Sequence, residues 1–157
     1  MTLSACLLRP ESRGRIRIVS ADPLAAPSIQ ARYLSVEADR RLAVDLVRKM
    51  REIAAAAPLS NYLIEEHEPG HSAQSDADLL DWVRRRAGSI FHPVGTCAMG
   101  PESDPMAVVD ARLRVHGLSG LRVVDGSIMP HIVSGNTNAP IVMIAEKAAD
   151  DIKADLR

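Results

Sequence analysis

Between residues 13 and 20 the chain reads RGRIRIVS, with Arg15 and Arg17 alternating with Ile16 and Ile18. A period of two predicts a strand near 14 to 19 with one wet face and one dry, and the prolines of ADPLAAPS then turn the chain. From Ser35 to Ala57 the pattern becomes helical. Ala43, Leu46, Val47, Met50, Ile53, Ala54 and Ala57 fall on one stripe, Asp and Arg lie opposite, and Pro58 follows. This predicts an amphipathic helix near 36 to 57 that packs by one face. SDADLLDWVRRRAG predicts a second helix near 76 to 87. Ser75 and Asp78 have capping-box spacing, Leu79, Leu80, Trp82 and Val83 point inward, and three arginines precede the stop at Gly88.

The following FHPVGTCAMG, residues 91 to 100, is too irregular for helix or strand, and Pro93, Gly95 and Gly100 fix its shape. His92 therefore heads a backbone-controlled loop and does not belong to a periodic apolar segment. MAVVD and LRVVD are short apolar runs separated by turn signals at His116-Gly117 and Ser119-Gly120, which predicts strands or extended segments, one near 121 to 125. Ile141, Ile144, Ala145, Ala148 and Ile152 form the stripe of a last helix, near 139 to 154, with Pro140 in its first turn. Asn136 and Asn138 flank its start. They serve there as caps, or they stand where free backbone N–H groups and the positive end of the helix dipole receive an anion or a polarised oxygen. Amphipathic helices need a sheet to cover, and the strands are too few to close one, so the fold class is α+β.

Composition narrows the function. A chain of 157 residues has the length of one domain, and 46% apolar residues suffice for a core. With 19 basic against 20 acidic residues and 3% aromatics there is no footprint for nucleic acid. No run approaches a membrane span, and MTLSACLLRPESRG lacks the pattern of a secretory leader. Cys6 and Cys97 stand in unrelated contexts, which predicts reduced thiols and a cytoplasmic setting. HEPGH, residues 67 to 71, has the letters of a zinc-protease motif, but Pro69 and Gly70 keep its histidines off one helical face, so it is read as a solvated loop and no metal is expected. His116 and His131 read as turn residues, and the chain contains neither G-x-G-x-x-G nor a P-loop.

Four blocks, LRPESRGRIRIVSADP, FHPVGTCAMG, VVDARLRVHGLSGLRVVDGSIMP and VSGNTNAPIVMIAEKAADDI, occur in this order. Together they resemble the C-terminal part of the glucose-methanol-choline (GMC) family of flavin oxidoreductases, particularly its choline and alcohol dehydrogenase branch, from about Leu8 to Ile152. The resemblance implies FAD-dependent oxidation of a small alcohol by hydride transfer to the flavin. It implies that His92 is the catalytic base and that Asn136, at a position where other members carry His or Asn, bonds the same substrate oxygen. Asp125 and Gly126 match a segment beside the flavin, and Asn138 with Ala139 match the backbone passing its ring system. On this reading residues 1 to 157 are one C-terminal region, with a catalytic loop at 91 to 100 and a flavin-facing segment at 121 to 152. Its strands near 14 to 19 and 121 to 125 belong to different sheets of the whole enzyme. The family's Rossmann-type FAD segment is not in this sequence, so an N-terminal FAD-binding segment or partner chain is expected. The alternative is a non-enzymatic fragment that binds no flavin alone. A second departure is Ala98, where the branch commonly carries arginine; one possible salt bridge near the site is lost with it.

Overall fold

A computed structural model describes residues 1–156, which form two compact units, Met1–Ser89 and a second beginning at Ile90. The first unit is built on two helices. Helix α1, Glu37–Ala55, and helix α2, Asp76–Arg86, pack through Ala43, Val44 and Val47 against Leu79 and Val83, with Ala73 closing the cluster. Leu79 is fully buried. The helical stripe thus predicts part of the packed face: Val44 is buried although off the stripe, Ala57 is exposed past the helix end, and two further positions differ. Ile53 is half exposed. Asp39, assigned to the wet face, is buried. Its carboxylate accepts the backbone N–H groups of Glu11 (2.9 Å) and Ser12 (2.7 Å), 27 to 28 residues upstream. Burial pushes that carboxyl up, but these bonds and the Ser12 side chain outweigh burial and hold it below the usual range.

The capping box of α2 is complete. Ser75 Oγ accepts from Asp78 N–H and Asp78 Oδ2 accepts from Ser75 N–H. The helix stops one residue before Gly88, at Ala87, which is extended and bonds back to the Val83 carbonyl; no left-handed glycine cap is used. Between the helices, a 3₁₀ turn at Leu59–Tyr62 leads into a non-helical segment that contains HEPGH. That segment is stapled by charge. Arg51 donates to both oxygens of Glu66 (2.8 and 3.0 Å) and to the carbonyls of Gly70 and Ala73, and Arg86 grips Glu68 with two bonds (2.7 and 2.8 Å).

Strand β1 is Arg15–Arg17, shorter than expected, and it pairs antiparallel with β2, Ser28–Gln30, which the sequence pattern did not indicate. Ile16 stands opposite Ile29 on one face, and Arg15 bonds its partner Gln30 on the other. The face expected to be dry is exposed: Ile16 at 48%, Ile29 at 71% and Ile18 at 90%. The alternation is real, but that face is largely exposed.

The second unit is a web of short extended segments against one helix, α3, Asn138–Asp155. Segment 97–100 is bonded on one side to 127–128 and on the other to 108–109. Residues 121–125 do not form the expected strand. They make one bridge, Arg122 to Arg114, because the neighbouring segment turns sharply at Leu113, whose φ is 63°. Asp110 builds that turn: Oδ1 accepts from Arg112 N–H (2.8 Å) and Arg114 N–H (2.9 Å), and Oδ2 from Arg114 Nε (2.8 Å). Val109, Leu113, Ile128 and Ala148 form the core, with Ile144, Val123 and Met99 packed around it. Along α3 only Ala148 of the predicted stripe is buried, Ile141 and Ile144 are half-buried, and Ala145 and Ile152 are exposed. Arg112 and Arg122 both bond Asp155 and hold the helix end. Among the described residues no helix is long and apolar enough to cross a membrane.

Candidate active site

The His92 loop is shaped by left-handed backbone. Phe91 (φ 60°) immediately precedes the histidine, Pro93 follows it, and Gly95 takes φ 87°. A side chain at Gly95 would be strained by that φ, and its Cβ would lie 3.4 Å from the Met129 carbonyl oxygen. Downstream, Cys97 N–H donates to Ser127 O (3.0 Å) and Met99 N–H to Ile128 O (2.8 Å), so the loop is moored to the 3₁₀ turn Gly126–Ile128. Cys97 is a free thiol, as is Cys6. A bulky residue held at positive φ beside a histidine stores strain that the mooring must sustain.

The imidazole of His92, half-buried, meets the start of α3. Its Nδ1 lies 3.2 Å from Oγ1 of Thr137, which is 4% exposed. Thr137, between the two asparagines, is the N-cap residue of α3. Its backbone is helical (φ −89°, ψ −10°), and its hydroxyl makes no cap bond but turns to the histidine. The capping alternative for Asn136 and Asn138 therefore fails: Asn138 is the first helical residue, Asn136 precedes the cap, and both are exposed. The first turn of α3 has no acidic side chain, and Ala139 is also exposed. The positive end of the helix is thus open to an electron-rich or anionic group.

The remaining predicted residues have visible structural duties. Asp125 caps the Gly126–Ile128 turn, its Oδ1 accepting from Ser127 N–H at 2.7 Å. Gly126 is buried where a Cβ would stand 3.1 Å from Ile141 Cδ1, so its smallness lets the turn approach α3. His116 Nε2–H donates to the Gly100 carbonyl (3.0 Å), bracing the far end of the His92 loop. A surface depression lined by Met99, Gly100, Glu102, Asp110 and His116 contains neither His92 nor Asn136. Chemically, the constellation is one imidazole fixed at one nitrogen by Thr137, an exposed amide one residue before that threonine in the chain, and an open helix N-terminus. Thr137 was not singled out from sequence. Its residue type at a helix start was a signal, but nothing local shows that it reaches a side chain 45 residues away.

Residues 10–145 match the sequence profile of the GMC oxidoreductase family. The chain belongs to this family. It is 51% identical over 146 residues to an oxygen-dependent choline dehydrogenase of Chromohalobacter salexigens, covering 93% of this chain and 26% of that protein. A protein of the same description from Vibrio vulnificus is 49% identical over 142 residues, 90% of this chain and 25% of its own length. Among solved structures, a pyridoxine 4-oxidase from Mesorbium loti superposes with a TM-score of 0.85 at 36% identity, over 92% of this chain and 28% of that one. An FAD-dependent oxidoreductase from Chaetomium thermophilum gives 0.88 at 36% identity, over 96% and 26%. The chain thus spans about a quarter of the length of these GMC relatives. The α+β architecture of three helices and a two-stranded sheet is that of the GMC C-terminal part.

Proposed function

We propose that this chain is the C-terminal catalytic part of an FAD-dependent, choline-like alcohol dehydrogenase that oxidises a primary alcohol, with His92 as general base. The observation that carries the reading is His92, fixed through Nδ1 to Thr137 at the start of α3, the residue that follows Asn136 in the chain. The naming of relatives at about half identity as choline dehydrogenases supports the substrate class. Alcohols ionise poorly near neutrality, and an imidazole within hydrogen-bond reach of the hydroxyl lowers the barrier by accepting its proton. In this scheme the hydroxyl proton passes to His92 Nε2 as the carbon-bound hydrogen leaves with its electron pair, and the alcohol becomes a carbonyl compound. The Asn136 side chain donates to the same oxygen and holds it in place.

The residues at the start of α3 fit a flavin. Asn138 and Ala139 are exposed there and the first turn of α3 carries no acidic side chain, so these two would hold it, with the backbone of Asp125 and Gly126 running beside it. Bound FAD supplies the hydride acceptor. The fingerprint that grips its adenosine half is absent from this sequence, so the reading includes an FAD-binding segment, in the same polypeptide or in a partner chain. The uncovered face of Ile16, Ile18 and Ile29 is where such a segment would pack.

The test is turnover. An assembly of this chain with a GMC FAD-binding segment is expected to reduce an artificial electron acceptor with choline or a related primary alcohol. His92→Ala should lower the rate by about 10² to 10⁴-fold with flavin still bound. Wild-type turnover by that variant would reduce His92 to a turn residue. The second reading, a fragment without flavin chemistry, predicts that no assembly of this chain retains flavin or turns over.

A further inference from the structure

We infer that Thr137 is a positioning residue that sets the tautomer of His92: Nδ1–H donates to Thr137 Oγ1, and the lone pair is left on Nε2. The inference rests on the general-base reading above and deepens it. Its observation is the 3.2 Å contact between the two side chains, made by a buried hydroxyl that makes no capping bond.

A neutral imidazole carries one proton, on either nitrogen, and only the bare nitrogen accepts another. Were the Thr137 hydroxyl to donate to Nδ1, the ring proton would sit on Nε2, and the nitrogen free of protein contacts would be a donor, unable to take a proton from an alcohol. With Nδ1–H donating to Oγ1, Nε2 is the base. Free histidine in water favours the Nε2–H form, so the useful tautomer has to be imposed by a partner at Nδ1. Thr137 suits that task. Its carbonyl accepts the Ile141 N–H at 3.0 Å, which ties its backbone into α3, and a β-branched side chain has few rotamers to lose. On the other side, Phe91 at positive φ, Pro93 and the mooring of residues 97–100 set the backbone from which His92 projects. An acceptor on a rigid helix start thus faces a donor on a strained loop, and serine or threonine alone among uncharged residues of this size presents a hydroxyl there.

The experiment is a long-range ¹H–¹⁵N correlation spectrum of the histidine rings in the full 157-residue chain, at a pH where His92 is neutral, with His92→Gln identifying its signals. The wild type is expected to show a protonated-type Nδ1 and an unprotonated-type Nε2. Thr137→Val, which removes the hydroxyl at nearly constant shape, should exchange that pattern for the Nε2–H form; Thr137→Ser should retain it. In the FAD-bearing assembly Thr137→Val should lower kcat by about tenfold, the equivalent of one hydrogen bond, with KM little changed and Thr137→Ser close to wild type. A wild-type His92 protonated at Nε2 overturns the inference, as does a Thr137→Val spectrum identical to wild type. Should Thr137→Val lose its amide dispersion, the wild-type and serine spectra still decide. Failure of the general-base reading looks different: His92→Ala would turn over normally whatever the tautomer.

Discussion

At the scale of the residue, two aspartates show how a side chain can organise backbone that periodicity leaves undefined. Asp39 lies in the first turn of α1, where its charge also suits the helix dipole, and it draws in the chain around Glu11 and Ser12. A helical wheel places it in line with Ala43, Leu46 and Met50, on the packed face, although its residue type suggested the wet one. Its partners were not legible because they are backbone groups 27 and 28 residues away. Asp39→Ala should cost about 1.5 to 3 kcal/mol in urea denaturation, since two N–H groups lose a charged acceptor. Asp110 does the same for the 110–114 turn. Burial pushes its carboxyl up, but the Arg114 side chain and the N–H groups of Arg114 and Arg112 prevail and carry it from an ordinary 3.8 down to about 2. Both carboxyls are depressed on folding, so their stabilisation is fully present above the ordinary carboxylate range. For Asp110 it is lost as pH falls from about 4 through about 2. Thermal unfolding followed between pH 5 and 2 should show this decline, and Asp110→Asn should flatten part of it. An unchanged profile in the variant would sink the assignment.

At the scale of the element, helices were far more legible than strands. The expected spans 36 to 57, 76 to 87 and 139 to 154 became Glu37–Ala55, Asp76–Arg86 and Asn138–Asp155, because apolar period and caps are local signals. Strand β2 is three residues long and exists only through its pairing with β1, which no local pattern encodes. Segment 121–125 carries a strand-like run, yet its neighbour is turned away by the Asp110 turn, so it stays extended with a single bridge. The α3 stripe is only partly used because the second unit supplies a narrow core of Val109, Leu113 and Ile128. The relative weight of packing and capping can be measured on α2. Leu79→Ala removes a fully buried side chain between two helices and should cost about 2 to 5 kcal/mol. Ser75→Ala breaks the capping box and should cost about 1 kcal/mol. Equal losses in urea denaturation would mean that Leu79 is not the centre of that core.

At the scale of the whole molecule, the exposure of the sheet is the most informative departure from the sequence pattern. An alternating strand normally turns its apolar face to a core, and isolated exposed apolar residues need no explanation. Here two cross-strand partners, Ile16 and Ile29, are 48% and 71% exposed on one face, and Ile18 follows at 90%. A two-stranded ribbon with an uncovered apolar face is marginal by itself. The chain spans about a quarter of its GMC relatives, so the proposed FAD-binding segment is a natural cover for that face. The chain alone is therefore expected to be colourless and to bind a hydrophobic dye, and the dye should be released as the FAD-binding segment is added as a separate polypeptide. Replacing both Ile16 and Ile29 by serine should weaken that association by about tenfold or more, since buried apolar anchors at an interface each contribute about 1 kcal/mol or more. The substitutions lie outside the second unit, which holds His92 and Thr137, so saturating amounts of the segment should restore turnover. An association constant unchanged by the double substitution would show that the ribbon stays in solvent in the assembly.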